Sequence, residues 1–244
     1  MTKQPSGKAS VLDFYDLESP ESTEFRRLLH HINGQPSPND KRAILITSAV
    51  LSEGKSIIAS LLTITAAKHK KRKTLLIDFD LRRPTVHRLF GMPLEKGLSD
   101  ILTAGVAVRS IIKSTNEDKL DVITAGKGIP NPSEIINGPA VHRIIEEMKF
   151  YYDLIIVDSP PLVPVMDPMV LLDELDGAIM VVKAGATQKT VVGRARDLLA
   201  TRKEKFLGVV VNNLNRSLPY YYDYGYYGYH YKPTNSSSDG NNSR

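Results

Sequence analysis

Six short apolar runs, separated by stretches with helical periodicity, constrain the fold of this chain more than any other feature. They are AILITS (43–48), TLLIDFD (74–80), LDVITAG (120–126), LIIVDS (154–159), AIMVVKAG (178–185) and FLGVVVNN (206–213). The runs are continuously apolar rather than alternating, which is typical of strands buried on both faces of a parallel sheet. Helical patterns at 55–69, 138–149 and 188–204 lie between them. We therefore predict an α/β fold, a doubly wound, mostly parallel sheet with helices on both faces, whose ligands bind at the carboxyl ends of the strands.

The 244 residues fit one large domain, which we predict to span residues 19–215. Residues 19–33 read as a capped helix ahead of the first strand. Residues 1–18 are expected to be disordered. Residues 216–244 are expected to form a flexible tail that ends in a polar segment of low sequence complexity. The N-terminus lacks the apolar core of a secretory signal, and no run of about 18 apolar residues occurs. We therefore expect a cytoplasmic protein.

Composition excludes several classes of site. The chain has no cysteine, which rules out disulfides, thiolate nucleophiles and zinc sites built on cysteine. A net charge of +5 is too mild to indicate nucleic acid. The basic run Lys68–Lys73 follows a helical pattern and favours a solvated helix C-terminus. His87 and His142 are interpreted as surface or packing residues rather than metal ligands, and no nucleic-acid partner is expected.

A phosphate-binding loop is predicted between the first strand and the helix at 55–69. The segment AVLSEGKS, Ala49–Ser56, matches the pattern [AG]-x-x-x-x-G-K-[ST] in the order strand, loop, helix. Backbone N–H groups of residues 53–56 and the helix N-terminus would attract phosphate. Lys55 would neutralise the β- and γ-phosphate oxygens, and Ser56 would offer its hydroxyl to Mg²⁺. The predicted nucleotide-binding residues of the loop are Ser52, Glu53, Gly54, Lys55, Ser56 and Ile57.

Carboxylates follow two further strands. Asp78 and Asp80 end the second apolar run on the same side of that strand, and Asp158 ends the fourth run. With Ser56, Asp78 and Asp158 are the predicted magnesium ligands. Phosphorylation of a phenol, whose pKa is near 10, benefits from a carboxylate that accepts the proton, and Asp78 or Asp80 is predicted to do this.

Arginines beside these acids have two possible roles. Arg82 or Arg83 could neutralise charge that develops on the transferred phosphoryl group. Either arginine could instead pair with a neighbouring acid. Lys55, Asp78, Asp80 and Arg82 are therefore the predicted catalytic residues.

The tail gathers phenols. Eight of the eleven tyrosines lie between residues 220 and 231, in a segment with too few aliphatic residues to pack. We interpret them as kinase substrates; the alternative is an adhesive Tyr/Gly segment. The predicted autophosphorylation sites are Tyr220, Tyr221, Tyr222, Tyr224, Tyr226, Tyr227, Tyr229 and Tyr231.

The P-loop, LLIDFDLRRP, DLIIVDSPP and the tyrosine cluster together resemble the bacterial tyrosine autokinases (BY-kinases) of exopolysaccharide and capsule export, over about residues 19–231. The resemblance is to the stand-alone type. It implies a non-specific protein-tyrosine kinase that uses ATP and Mg²⁺ to phosphorylate its own tail, between subunits of a homo-oligomeric ring. The implied partners are a membrane polysaccharide co-polymerase, which activates the enzyme and recruits it to the inner face of the membrane, and a cognate tyrosine phosphatase. In related P-loop ATPases the base is read at the end of the last strand, which points to Asn212 or Asn213, and we predict Asn213.

The sequence departs from the family pattern at two places. Leu51-Ser52 stands where the family has Pro-Gly, and Ser52 occupies a position where glycine suits a positive φ. The family's oligomerisation motif, Glu-x-x-Arg-x-x-Arg, is present as Glu24 and Arg27 with His30 in the last place. Two alternatives stay open: a partition-type ATPase switch without kinase activity, and a scaffold derived from a decayed kinase.

Overall fold

The computed structural model of the chain describes residues 9–34 and 42–214. Its described part contains one seven-stranded sheet in the order β3-β4-β2-β5-β1-β6-β7. Neighbouring strands are parallel except for β3 and β4, which are antiparallel. The strands are β1 (Ala43–Ser48), β2 (Thr74–Asp78), β3 (Lys113–Ser114), β4 (Leu120–Ile123), β5 (Leu154–Asp158), β6 (Gly177–Lys183) and β7 (Phe206–Asn212).

Helices cover both faces of this sheet. One apolar layer joins α1 and α2 to Ile44 and Leu76, and the other joins α4, α6, α7 and α8 to Leu45 and Ile77. Successive strand residues thus point into different layers, which is why the apolar runs are continuous. The helices are α1 (Pro20–Gly34), α2 (Lys55–Lys70), α3 (Val86–Leu89), α4 (Leu98–Ala104), α5 (Pro132–Ile135), α6 (Gly138–Lys149), α7 (Asp167–Asp173) and α8 (Lys189–Ala200), with 3-10 turns at Val11–Phe14, Val108–Ile111 and Lys203–Lys205.

The predicted doubly wound fold is confirmed, with differences in detail. All six predicted strands form, and the two-residue strand β3 is an addition that is too short to show in hydrophobic periodicity. The helix predicted at 19–33 is α1, whose Phe25, Leu29 and Ile32 are buried. No helix in the described ranges is long and apolar enough to cross a membrane.

The N-terminal expectation is wrong for residues 9–18, which we call the clasp. The clasp forms a 3-10 turn capped by Ser10, whose hydroxyl accepts a hydrogen bond from the Leu12 N–H. Val11, Leu12 and Tyr15 pack against the layer that contains α2. The apolar spacing of these three residues is the signal for this packing, but in so short a segment it does not predict order. Residues 1–8 and the tail from residue 215 onward lie outside the described part of the chain.

Strand order explains where the site lies. β1 lies between β5 and β6. The connection from β1 to β2 therefore crosses towards one edge of the sheet, and the connection from β5 to β6 crosses towards the opposite edge. Asp78 at the end of β2 is in register with Asp158 at the end of β5, and Asp158 is in register with Ile46 of β1. The carboxyl ends of three adjacent strands therefore meet at the switch point, where ligands of such sheets bind.

Candidate active site

The P-loop connects β1 to α2 through two residues with positive φ. Ser52 has a φ of 64° and Gly54, the N-cap of α2, has a φ of 94°. A Cβ atom on Gly54 would lie 2.3 Å from Nδ2 of Asn212, so a larger residue would displace that amide and would also strain the left-handed backbone. Ser52 adopts the conformation expected for it, at the energetic cost that a left-handed non-glycine residue carries.

Glu53 and Asn212 hold the P-loop in place through hydrogen bonds. The Glu53 side chain is 2% exposed; Oε2 accepts a hydrogen bond from the Val50 N–H at 2.7 Å, and Oε1 accepts from the Lys183 N–H at 3.2 Å and from the Thr187 hydroxyl. Asn212 Nδ2 donates to the Glu53 carbonyl at 2.9 Å. The loop is therefore tied to the ends of β6 and β7. Glu53 was predicted to bind nucleotide through its backbone; the bracing role of its carboxylate was not predicted, because Lys183 and Thr187 lie 130 and 134 residues away in the sequence.

Lys55 points at the acids of the neighbouring strands. Its Nζ lies 2.9 Å from Oδ2 of Asp80, and the two side chains are 12% and 2% exposed. Burial lowers the pKa of Lys55, but the negative charges of Asp158 and Asp80 outweigh burial, so that the pKa is raised. Lys55 therefore stays protonated and carries its charge into the site.

Asp158 is buried without a hydrogen-bond partner on either carboxylate oxygen among the residues described. Burial, helped by the charge of Asp80, raises the pKa of this carboxyl to about 6, while the positive charge of Lys55 acts in the opposite direction. Two unpartnered buried oxygens next to a P-loop hydroxyl fit a hard divalent cation, which takes oxygen ligands. Ser56, which carries this hydroxyl, is only 6% exposed and is therefore shielded from water. The Ser56 hydroxyl and the Asp158 carboxylate together fit Mg²⁺ at this place.

Asp78 has a different environment. Its Oδ2 accepts hydrogen bonds from the N–H groups of Thr85 and Val86 at 3.2 and 3.1 Å, and its Oδ1 accepts from the Asp80 N–H at 3.1 Å. Burial and the charge of Asp158 raise its pKa well above the usual value despite these bonds. Asp78 thus holds the segment after β2 in place, and its roles as metal ligand and proton acceptor stay predictions. No group of three or more histidine, cysteine or acidic side chains in the described ranges is arranged to hold a metal, so a cation here needs Ser56 or phosphate oxygens as well.

Arg82 pairs with an acid, Asp167, which is the alternative that the sequence left open beside a catalytic role. Its Nε lies 3.1 Å from Oδ2 of Asp167 and its Nη2 donates to the Ser133 hydroxyl at 2.6 Å, while that hydroxyl donates to Asp167 Oδ1. Arg83 contributes its backbone N–H to Asp80 Oδ1 at 2.9 Å. Ser133 in α5 and Asp167 in α7 were not predicted as partners of Arg82, because they lie 51 and 85 residues from it in the sequence. The catalytic role of Arg82 stays a prediction, and this role would require Arg82 to leave Asp167.

Comparison with known proteins places this site in a family. The family described as ParA: NUBPL iron-transfer P-loop NTPase matches residues 39–219. The tyrosine-protein kinase YwqD of Bacillus subtilis is 34% identical to this chain over 219 residues, which are 90% of this chain and 91% of that protein. The chain belongs to the bacterial tyrosine-protein kinase family.

Solved structures agree with this assignment. The chimerical protein CapA2B2 has a TM-score of 0.77 at 32% identity, and covers 84% of the kinase and 92% of its own chain. The kinase domain of the Escherichia coli tyrosine kinase ETK has a TM-score of 0.79 at 26% identity, and covers 90% of the kinase and 88% of its own chain. The resemblance inferred from the P-loop, the two acidic motifs and the tyrosine cluster is confirmed.

The other predicted site residues of the kinase lie around the loop. Ile57 is 47% exposed at the start of α2, beside the backbone predicted to bind phosphate. Asn213 has a φ of 65°, and its N–H donates to Asn212 Oδ1 at 2.8 Å. Asn212 is therefore committed to holding the loop, while the contact of Asn213 with the base stays a prediction. The tail tyrosines lie outside the described residues.

We expect Ser52→Gly to raise the free energy of unfolding of the kinase by about 0.5–1 kcal/mol, because glycine adopts the left-handed conformation without the Cβ penalty. Ser52→Ala, which keeps the Cβ atom, should not stabilise. Gly54→Ala should destabilise, because the added atom meets Asn212. Urea denaturation of the three variants checks this, and equal effects of the Gly and Ala changes at position 52 would contradict it.

Proposed function

We propose that this kinase transfers the γ-phosphoryl group of ATP to tyrosines of its own C-terminal tail, with Mg²⁺ as cofactor. The observation that carries the proposal is the cluster of Lys55, Asp80 and Asp158: a buried cation 2.9 Å from one carboxylate and next to a second that lacks partners. A protonated lysine on a P-loop suits phosphate, and the unpartnered carboxylate suits the metal. The proposed acceptors are Tyr220, Tyr221, Tyr222, Tyr224, Tyr226, Tyr227, Tyr229 and Tyr231.

Each side chain of the cluster would have a separate role in the transfer. Mg²⁺, held by Ser56 and Asp158, would neutralise charge on the phosphate oxygens. Lys55 would exchange Asp80 for a phosphate oxygen, which leaves Oδ2 of Asp80 free. Asp80 would then orient the incoming phenol and accept its proton, a task for which a buried carboxylate next to the phosphate site is well placed. Phosphoryl transfer depends mainly on positioning and charge neutralisation, and these are the tasks that the proposal assigns to the four side chains.

The point at which the chain leaves the sheet towards the tail, after Asn212, lies next to the proposed active site. β7 ends at Asn212, whose side chain contacts the P-loop, so the chain leaves the sheet next to the proposed nucleotide. From Asn213 to Tyr220 the chain reaches at most about 25 Å. Tyrosines tethered at this distance have an effective concentration on the order of millimolar at the site. This holds for the chain's own site and for a neighbour's.

In the cell, we propose a role in exopolysaccharide or capsule synthesis, with a membrane polysaccharide co-polymerase that activates the kinase and recruits it to the inner face of the membrane. A ring of subunits and a cognate tyrosine phosphatase complete the proposal. Glu24 and Arg27 pair on an exposed face of α1, where a neighbouring subunit could reach them. Each phosphate adds about −1.5 to −2 charges, so a phosphorylated tail would repel its neighbours and open the ring. An oligomer whose size in solution does not change on phosphorylation would contradict this switch.

Incubation of the purified protein with ATP and Mg²⁺ should produce phosphotyrosine in the tail, as read by mass spectrometry. A variant with all eight tail tyrosines changed to Phe should still bind ATP but lose most of the phosphotyrosine signal. A partition-type ATPase switch predicts nucleotide hydrolysis without phosphotyrosine, and that result would replace the proposal.

A further inference from the structure

We infer that Tyr15 is a phosphorylation site outside the tail and that its phosphorylation releases the clasp from α2. The inference rests on the proposed autokinase activity and extends it to a second substrate segment. Tyr15 Oη lies 2.7 Å from Oγ1 of Thr65, a buried residue in the third turn of α2, the helix that begins with Lys55 of the P-loop. A change at Tyr15 therefore acts on the helix that carries the site.

Three tyrosines lie outside the tail, and the structure separates Tyr15 from the other two. Tyr152 is 4% exposed and donates its hydroxyl to Asp121 at 2.8 Å. Tyr151 lies in the turn before β5, with the Arg109 guanidinium 4.8 Å from its ring centre, at the sheet edge opposite the P-loop. Tyr152 could enter an active site only after β5 detached from the sheet, and Tyr151, although 42% exposed, is held in the short connection between α6 and β5. Tyr15 needs only the clasp to move.

The clasp has the features of a segment that opens at low cost. None of residues 9–18 is buried, and Phe14 is 78% exposed. A cleft of about 210 Å³ lies beside Phe14 and Tyr15, against Phe25 and Leu61 of the domain. Few buried apolar contacts and a poorly filled boundary mark regions that open locally without global unfolding. The open clasp can therefore present Tyr15 to an active site of its own or of a neighbouring chain.

The hydrogen bond to Thr65 has a defined direction. Thr65 Oγ1 donates its proton to the Leu61 carbonyl at 2.7 Å, so it can only accept from Tyr15. In the closed clasp Tyr15 is thus the donor. A phosphorylated Tyr15 has no proton on that oxygen, and a bulky dianion would have to occupy the place of the hydroxyl.

Charge acts in the same direction. The clasp carries Asp13, Asp16 and Glu18 within three residues of Tyr15. A phosphate adds about −1.5 to −2 charges to this acidic segment. Repulsion between the phosphate and the three carboxylates disfavours the compact 3-10 turn. Loss of the donor and repulsion together favour the open clasp after phosphorylation.

The chemical step is the one proposed for the tail. The bond between the γ-phosphorus of ATP and the oxygen that bridges to the β-phosphate breaks, a bond forms between that phosphorus and Tyr15 Oη, and ADP leaves. The phenol proton passes to a carboxylate of the site and then to water. No oxidant or further co-reactant is needed.

Mass spectrometry of the full-length protein, isolated from its cells and after incubation with ATP and Mg²⁺, tests the inference. Trypsin releases residues 9–26 as a peptide whose single tyrosine is Tyr15. We expect phosphate on this peptide as well as on the tail, and hydrogen exchange of residues 9–18 that is faster in the phosphorylated protein. A phosphorylated tail with an unmodified Tyr15 would overturn this inference and leave the proposed function standing. Absence of phosphate from both would overturn both.

A pair of threonine variants tests the role of the clasp. Thr65→Val keeps the shape but removes the acceptor, and it should raise the initial rate of Tyr15 phosphorylation about fivefold, the factor that corresponds to one hydrogen bond of about 1 kcal/mol, with the tail rate unchanged. Thr63→Val is the matched control, because Thr63 is also buried, donates to the carbonyl four residues earlier and lies in the same helix, and it should not change the Tyr15 rate. Equal rates for the two variants would show that the clasp does not control Tyr15.

Discussion

Replacing Lys55 by Met is expected to lower tail phosphorylation on the order of 10²–10³-fold, the loss that removal of one preorganised group at a transition-state charge produces. In the proposed mechanism Lys55 is the cation that the P-loop places among the phosphate oxygens, and its burial leaves little water to replace it. The measurement is the initial rate of phosphotyrosine formation in the purified protein. Lys203→Met, which removes an exposed lysine in a 3-10 turn, is the matched control and should keep the wild-type rate.

The same variant decides between the kinase and a scaffold. If Lys55→Met left tail phosphorylation in cells at the wild-type level, another enzyme would be responsible, and a decayed kinase that serves as a scaffold would be the better explanation. The variant should remain folded, since Met keeps most of the aliphatic length of the side chain. Far-UV circular dichroism checks this before the rates are compared.

Asp158→Asn is expected to have two opposite effects: loss of phosphorylation by at least about 100-fold, and a gain in the free energy of unfolding of about 3 kcal/mol at pH 8 in the presence of a chelator. Loss of activity follows because an amide is a weak ligand for Mg²⁺. The gain in stability follows because the wild-type carboxylate is buried, and both of its oxygens lack hydrogen-bond partners within the described residues.

The pH dependence of this gain has a defined sign. Folding raises the pKa of Asp158 from 3.8 to about 6, so the folded protein holds this proton more tightly than the unfolded chain does. The wild type is therefore not penalised below about pH 4, loses stability as the pH rises through 6, and carries the full penalty above that value. The difference between Asp158→Asn and the wild type should grow over this interval, as urea denaturation measures it. Asp118→Asn, at an exposed acid, should show no such growth, and a variant less stable than the wild type at pH 8 would contradict the explanation.

Fold class and the main members of the site were predictable because they depend on local patterns. Continuous apolar runs such as β2 and β5 are long enough to be recognised, and parallel strands must end at one edge. That rule was sufficient to bring Asp78, Asp80 and Asp158 next to Lys55. The left-handed conformation of Ser52 was also predictable, because the loop pattern has a glycine-like position there.

The arrangement within the site was not predictable from those patterns. The pairing of Arg82 with Asp167 joins residues 85 positions apart, and the contact between Asn212 and Glu53 joins residues 159 apart. Neither arginine nor asparagine shows in the sequence which of several nearby partners it will bond. The clasp was mispredicted for the same reason, since Tyr15 finds its partner 50 residues away in Thr65.

Local patterns along the chain are enough to specify the doubly wound sheet, the phosphate loop and the acids that face it, because periodicity and loop chemistry act over a few residues. Only the folded chain shows which of the three acids lacks partners, which one holds Lys55, and that Arg82 and Asn212 are engaged elsewhere. These outcomes depend on burial and on side chains that meet across the sheet, and both exist only after the chain has folded.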